Sequence, residues 1–360
     1  MNQIHKNIRT IASTFLLSIA LTGAPTMTYA ENVNPNDPVS LVTEWDKTFP
    51  QSSKVEHSKV TFKNRYGITL VGDLYIPKNQ GEQKLAAIAV SGPFGAVKEQ
   101  SSGLYAQTLA EKGFLTLAFD PSYTGESGGQ PRNVASPDIN TEDFSAAVDY
   151  LGLRHEVDRN RIGILGICGW GGMALNAAAV DTRIKAVATS VMYDMSRVMA
   201  KGLFDSMTPE QRHAALTQMS QQRWADAENG KPAPMDGGLP NKLPTDANPI
   251  IKEFFEYYKV PRGFHARSVN SNGAWTATTG FSFMNFPLMT YANEISIPTL
   301  IVTGEKAHSR YFAEDAYKAV GSKQKELVII PNANHVDLYD NQAGKIPFAK
   351  FEQFFETSLK

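Results

Sequence analysis

The sequence predicts an α/β protein: a mostly parallel central sheet flanked by helices, with a long insertion before the penultimate core strand. Three observations carry this. Leu85 to Val90, Phe114 to Phe119, Ile162 to Ile167, Ile184 to Val191, Thr299 to Thr303 and Leu327 to Ile330 are short, nearly continuous apolar runs. Such runs fit strands buried on both faces of a parallel sheet. Helix-like segments lie between most of them, and this alternation implies a layered sheet. The stretch 195–297 breaks the alternation and is far longer than an ordinary crossover.

Taken in order, residues 1–30 read as a cleavable signal peptide. Lys6 and Arg9 precede the apolar run Ile11 to Leu21, and Thr28-Tyr29-Ala30 ends in a small residue, so the cut is expected after Ala30. A membrane anchor is the alternative, but the run is shorter than the ~20 residues a span requires. The mature chain is therefore expected to be secreted or periplasmic, with no membrane span. Residues 31–54 are polar, rich in Asn and Pro towards their start, and read as a loose leader. Val60 to Lys63 and Ile68 to Tyr75 form an expected antiparallel hairpin around Asn64 to Gly67.

A helix is expected from a cap at Asn140/Thr141, with Glu142 and Asp143 in its first turn. Phe144, Ala147, Val148 and Leu151 give it one apolar face. Pro232, Pro234, Pro240, Pro244 and Pro249 punctuate a polar loop inside the insertion, which is therefore no continuous helix and is placed as a lid or decorative subdomain. The expected division is thus core over 55–194, insertion over 195–297 and core again over 298–360.

Composition narrows the function classes. With 42% hydrophobic and 20% charged residues the chain is too apolar to be disordered, and its one Cys excludes a disulfide scaffold. A formal net charge of −1 without basic clusters gives no reason to expect nucleic acid or a membrane surface as partner. No metal motif is present: there is no H-E-x-x-H, and one Cys cannot build a thiolate cage.

The chemistry concentrates at Gly166-Ile-Cys168-Gly169-Trp170-Gly171-Gly172, where a buried strand meets a glycine-crowded turn and a small-residue helix. That is the layout of a nucleophile elbow. The helix N-terminus is expected to favour the thiolate of Cys168; a buried, inert Cys is the bland alternative. His335 follows the last core strand, in the position of a general base, with His308 as its competitor. The acid is expected to be Glu305, with Asp194 as alternative. The oxyanion donors are expected to be the backbone N–H groups of Gly169 and Phe94, since Pro93 has none.

The same glycines also match a loose dinucleotide fingerprint with Asp194 as ribose acid, an NAD(P) oxidoreductase reading that explains neither Cys168 nor His335. The segment 254–291 is dense in aromatics. Trp275 and Tyr258, with Trp170 beside the elbow, are candidate substrate contacts; Phe254, Phe255, Tyr257 and Phe281 belong to the same cluster, which could equally be the insertion's own core.

Through Cys168, the oxyanion loop, His335 and Phe119-Asp-Pro-Ser-Tyr-Thr-Gly125-Glu-Ser-Gly, residues 55–358 resemble the α/β-hydrolase superfamily. The closer resemblance is to its dienelactone hydrolase-like branch, which carries Cys in place of Ser. Trp170 and the missing Asp after Gly304 depart from that pattern. The resemblance implies the α/β-hydrolase fold and a cofactor-free esterase. Its substrate would be a small ester, thioester or lactone cleaved through an acyl-Cys intermediate, and the aromatic cluster of 254–291 is where an apolar or aromatic moiety would sit. A non-catalytic scaffold used as a binding protein is the alternative.

Overall fold

The computed structural model describes residues 39–78, 81, 83–235 and 238–360; the signal-peptide segment lies outside them. Eight strands form one sheet in the order β1-β2-β4-β3-β5-β6-β7-β8. They are β1 (Val55–Lys63), β2 (Thr69–Pro77), β3 (Leu85–Ser91), β4 (Leu115–Phe119), β5 (Val157–Ile167), β6 (Ala186–Ser190), β7 (Thr299–Gly304) and β8 (Lys325–Ile330). Pairing is antiparallel for β1–β2 and β2–β4 and parallel for the remaining pairs. The six apolar runs of the sequence all become strands. β4, β6 and β7 are buried at every residue, as two-sided packing demands.

The hairpin turn is built by one side chain. Asn64 Oδ1 accepts the N–H groups of Tyr66 and Ile68, while its Nδ2 donates to Ser122 and Asp143. Gly67 sits at φ +80°, the left-handed conformation such a turn requires.

Between the strands run α1 (Ser101–Ala110), α2 (Pro137–Leu153), α3 (Gly169–Val180) and α9 (Arg310–Ala319), and α10 (Phe348–Ser358) closes the chain. α1 packs with α10, and α2 with α3, so the sheet is sandwiched between helices. The start of α2 differs from the expected one. Ser136 is its N-cap residue and Pro137 stands in the first turn, where the missing N–H costs nothing. Asp143 is therefore no first-turn acid. It is buried, accepting from Ser122 and Asn140 as well as Asn64.

The insertion carries α4 (Met195–Lys201), α5 (Pro209–Asn229), α6 (Pro249–Tyr258), α7 (Val269–Asn272) and α8 (Gly280–Phe283). Pro209 and Pro249 start helices, capped by Thr208 and Asn248, rather than interrupting them. The polar stretch between α5 and α6 holds Pro232, Pro234, Pro240 and Pro244.

The leader is not loose from Val42 onward. Lys47 donates to Asp73 at 2.6 Å, the Val42 N–H to Glu126 at 2.7 Å and the Thr48 N–H to the Glu99 carbonyl at 2.9 Å. Its polar side chains complete a buried charge network, and a buried charge without a partner is costly.

β4 lies on one side of β3 and β5 on the other, so the strand order reverses at β3. Ligands of open α/β sheets bind at such a switch point, beyond the carboxyl ends of the strands. The loop after β3 carries Phe94, and the turn after β5 carries Cys168.

Candidate active site

Cys168 stands between β5 and α3 at φ +56°, ψ −127°. A side-chain-bearing residue there is strained, and it persists only where its surroundings enforce it. Three backbone bonds do so: the Cys168 N–H donates to the Ser190 carbonyl, and its own carbonyl accepts from Gly171 and Tyr193, all at 2.9 Å. Close approach explains two glycines. A Cβ on Gly166 would lie 2.2 Å from the Trp170 carbonyl oxygen, and one on Gly169 would lie 2.7 Å from Phe94 Cβ.

Cys168 is 6% exposed; its thiol shares a hydrogen bond with the Tyr339 hydroxyl and accepts from the N–H groups of Phe94 and Gly169. Both expected oxyanion donors therefore converge on the sulfur. The expected thiolate does not follow. Burial pushes the thiol pKa up, and the three hydrogen bonds only partly oppose it.

The Phe94 loop is clamped by the insertion. Asn270 Nδ2 donates to the Phe94 carbonyl at 2.7 Å, while the Asn270 N–H and the Ser268 hydroxyl donate to Gly95 at 3.0 and 2.8 Å. The Phe94 ring lies on Trp275, with centroids 4.5 Å apart.

His335 follows β8 and is fully buried. Its Nε2 is 2.8 Å from the Tyr339 hydroxyl and its Nδ1 is 2.7 Å from the Ser309 hydroxyl. Burial, and then the His308 ring 4.8 Å away, hold the imidazole well below its ordinary pKa. Thiol and imidazole are thus a neutral pair joined through Tyr339.

Neither expected acid reaches His335. Glu305 donates its N–H to Ile330, which directs its carboxylate along the loop rim to accept the Asn332 N–H at 2.8 Å. Asp194 caps α4, accepting from the Arg197 N–H and the Ser196 hydroxyl. Ser309, four residues past Glu305, takes the place on Nδ1. A carboxylate from α6 stands on the neighbouring histidine instead: Glu253 accepts the Val336 N–H at 3.0 Å and lies 3.6 Å from His308 Nδ1. Sequence reasoning missed Glu253, Ser309 and Tyr339. The spacing of Tyr339, four residues after His335, was the one available signal.

Trp170 is a core residue rather than a substrate contact. It is 2% exposed and packs edge-on against Phe119 and Phe144, because the second helical position after the elbow turns inward to the sheet. Tyr258 is buried beside Tyr339 and Asn270 at the site. Trp275 is half-buried on the oxyanion loop. The other aromatics divide: Phe254 packs against the His308 and His335 rings, whereas Phe281 belongs to the insertion's own small core.

The dinucleotide reading fails on packing. A Cβ on Gly171 would meet Met192 Cβ at 2.5 Å and one on Gly172 the Tyr193 carbonyl at 2.7 Å, so these glycines receive the protein's own chain. Asp194, the ribose acid of that reading, is engaged as the α4 cap. Glu99, Asp120 and Glu126 form a carboxylate cluster of the kind that holds metal ions. Its centre is taken by the Lys98 ammonium, which donates to all three at 2.6, 2.9 and 2.6 Å.

An eight-stranded, mostly parallel sheet with an elbow at its switch point and a histidine after its last strand defines an α/β hydrolase. The PET hydrolase-like family model matches residues 32–213. The protein PA2218 of Pseudomonas aeruginosa is 59% identical over 351 residues, 97% of this chain and 94% of that one. Its crystal structure superposes with a TM-score of 0.87 at 63% identity, covering 90% of this chain and 100% of the other. The chain belongs to the PET hydrolase-like family. The α/β hydrolase GrgF from Penicillium sp. sh18 shares the fold at a TM-score of 0.67 and 23% identity, over 84% of this chain and 99% of that one. A 131-residue stretch is 34% identical to the thiohydrolase aneE of Aspergillus aculeatus, 36% of this chain and 40% of the relative.

Proposed function

We propose that this protein is a cofactor-free, dienelactone hydrolase-like esterase that cleaves a small ester, thioester or lactone through an acyl-Cys168 intermediate. The observation that carries the reading is the thiol itself. It sits at a positive-φ elbow with two backbone N–H donors on it and a buried histidine one hydroxyl away. The sulfur attacks the substrate carbonyl, its proton ends on His335, and the carbonyl oxygen becomes an oxyanion. The Phe94 and Gly169 N–H groups stabilise that charge, by about 3 kcal/mol each. Collapse of the tetrahedral state expels the leaving group, to which His335 returns the proton. His335 then activates a water that frees the acyl group.

The thiohydrolase match supports a thioester as one substrate, and the aromatic wall of Phe254, Tyr258 and Trp275 suits an apolar or aromatic acyl group. With residues 1–30 read as a signal peptide, the enzyme would act outside the cytoplasm. There a lone Cys has no second thiol to trap it as a disulfide.

A buried neutral thiol and a histidine without a carboxylate would also suit a non-catalytic scaffold. Turnover of short p-nitrophenyl esters and acyl thioesters separates the two. The esterase reading predicts hydrolysis that Cys168→Ala abolishes and His335→Ala lowers by a factor on the order of 100 or more. Absence of turnover on every short substrate, with Cys168 resistant to iodoacetamide in the folded protein, would establish the scaffold.

A further inference from the structure

Among the described residues, the two groups that exchange a proton in the reaction above are not hydrogen-bond partners of each other. Of the side chains around the sulfur, Tyr339 hydrogen bonds it, and the same hydroxyl is 2.8 Å from His335 Nε2. We propose, resting on that reading, that Tyr339 is a catalytic residue whose phenol hydroxyl carries the Cys168 proton to His335.

The geometry is that of a fixed relay. Tyr339 ends the short turn Val336–Leu338 that begins at His335, and its N–H donates to the Val336 carbonyl at 3.0 Å. That turn is pinned to β6: the Tyr105 hydroxyl donates to the Leu338 carbonyl and bonds Ser190, both at 2.8 Å. The Tyr339 ring is fully buried and packs edge-on against Tyr257 at 5.1 Å and His335 at 5.2 Å. Swinging it out of the path would disrupt the site's aromatic wall.

Ser309 completes the arrangement. The relay takes the tautomer whose Nδ1–H donates to the Ser309 hydroxyl, 2.7 Å away, which leaves Nε2 as the acceptor for the Tyr339 O–H. The step balances without phenolate. The S–H bond breaks as a new O–H forms on Tyr339, while the old O–H breaks as N–H forms on His335. The products are thiolate, neutral phenol and imidazolium, and the sulfur electron pair goes to the carbonyl carbon. On collapse the imidazolium gives its proton to the leaving group, and after hydrolysis of the acyl group the reverse passage through Tyr339 restores the thiol. Burial raises the phenol pKa well above its ordinary value, which suits a hydroxyl that passes protons and stays neutral.

Tyr339→Phe in the full chain tests this, because it keeps the ring and removes only the hydroxyl. The relay predicts that kcat/KM for a p-nitrophenyl ester and the rate of Cys168 alkylation by iodoacetamide both fall on the order of 100-fold at neutral pH. The alkylation rates of variant and wild type should converge at alkaline pH, where the thiol ionises to solvent. Unchanged rates, or faster ones because a barrier was removed, would overturn the relay. A wild-type measurement covers a variant that does not fold: in mixtures of light and heavy water, two protons in flight give a curved dependence of rate on deuterium fraction. A straight line would overturn the proposal. Cys168→Ala run in parallel separates the failures, since retained hydrolysis there would remove the acyl-Cys reading itself.

Discussion

At Cys168, two backbone N–H groups and the Tyr339 hydroxyl surround a sulfur that burial still keeps protonated, and the imidazole beyond Tyr339 is equally held neutral. The sign of the pH dependence follows. Alkylation needs thiolate, so its rate should climb with pH through and beyond the ordinary thiol range near 9 instead of levelling off below neutrality. A plateau in the iodoacetamide rate below neutral pH would mean a thiolate–imidazolium pair, and would contradict the neutral one. Cys168 was legible in the sequence because an elbow is a local pattern of glycines at fixed offsets. Its protonation state was not, because the helix terminus is a local feature whereas burial is set by Phe94, Tyr258 and Tyr339, distant in sequence. The acid was misread for the same reason. Glu305 occupies the right loop, but the backbone bond from its N–H to Ile330 sends its side chain along the rim and leaves Ser309 against the histidine.

At the scale of elements, the strands were readable since two-sided burial writes itself as an unbroken apolar run. The insertion was not. Of the five prolines read as loop punctuation, Pro232, Pro234, Pro240 and Pro244 lie in the polar stretch, whereas Pro249 is a helix start. α7 and its N-cap Ser268 clamp the oxyanion loop, and the one side chain that holds the Phe94 carbonyl is Asn270. Asn270→Ala removes a side-chain bond worth about 1 kcal/mol to stability, so the folded protein should persist. The position of the Phe94 N–H is what it loses. A fall of kcat on the order of 10-fold or more, with the thermal midpoint moved by only a few degrees, is the expected result, read from ester kinetics alongside a melting curve. Stability and kcat falling together to a severe loss of fold would mark α7 as structural only.

Across the whole molecule, the leader, the hairpin, the oxyanion loop and the insertion meet in one buried charge network. Lys98, fully buried, is bonded to Glu99, Asp120 and Glu126; Lys59 adds to Glu126, Lys47 to Asp73 and Arg267 to Glu99. Nothing in the sequence announced it, because its members are scattered from 47 to 267 and each alone looks like a surface charge. Removing one partner of a buried ion set leaves the others unpaired and costs about 3–5 kcal/mol. Lys98→Met should therefore lower the free energy of unfolding by that amount in a urea titration, and a loss below about 1 kcal/mol would show that the network relaxes around the gap.

The central claim, that Cys168 is an acylated nucleophile, is tested most directly by intact-protein mass spectrometry. The protein is acid-quenched during turnover of short acyl esters and thioesters. The account predicts a mass increase equal to one acyl group, located on the peptide bearing Cys168 and absent in Cys168→Ala. Hydrolysis that proceeds with no adduct on that peptide, or an adduct that survives Cys168→Ala, would contradict it.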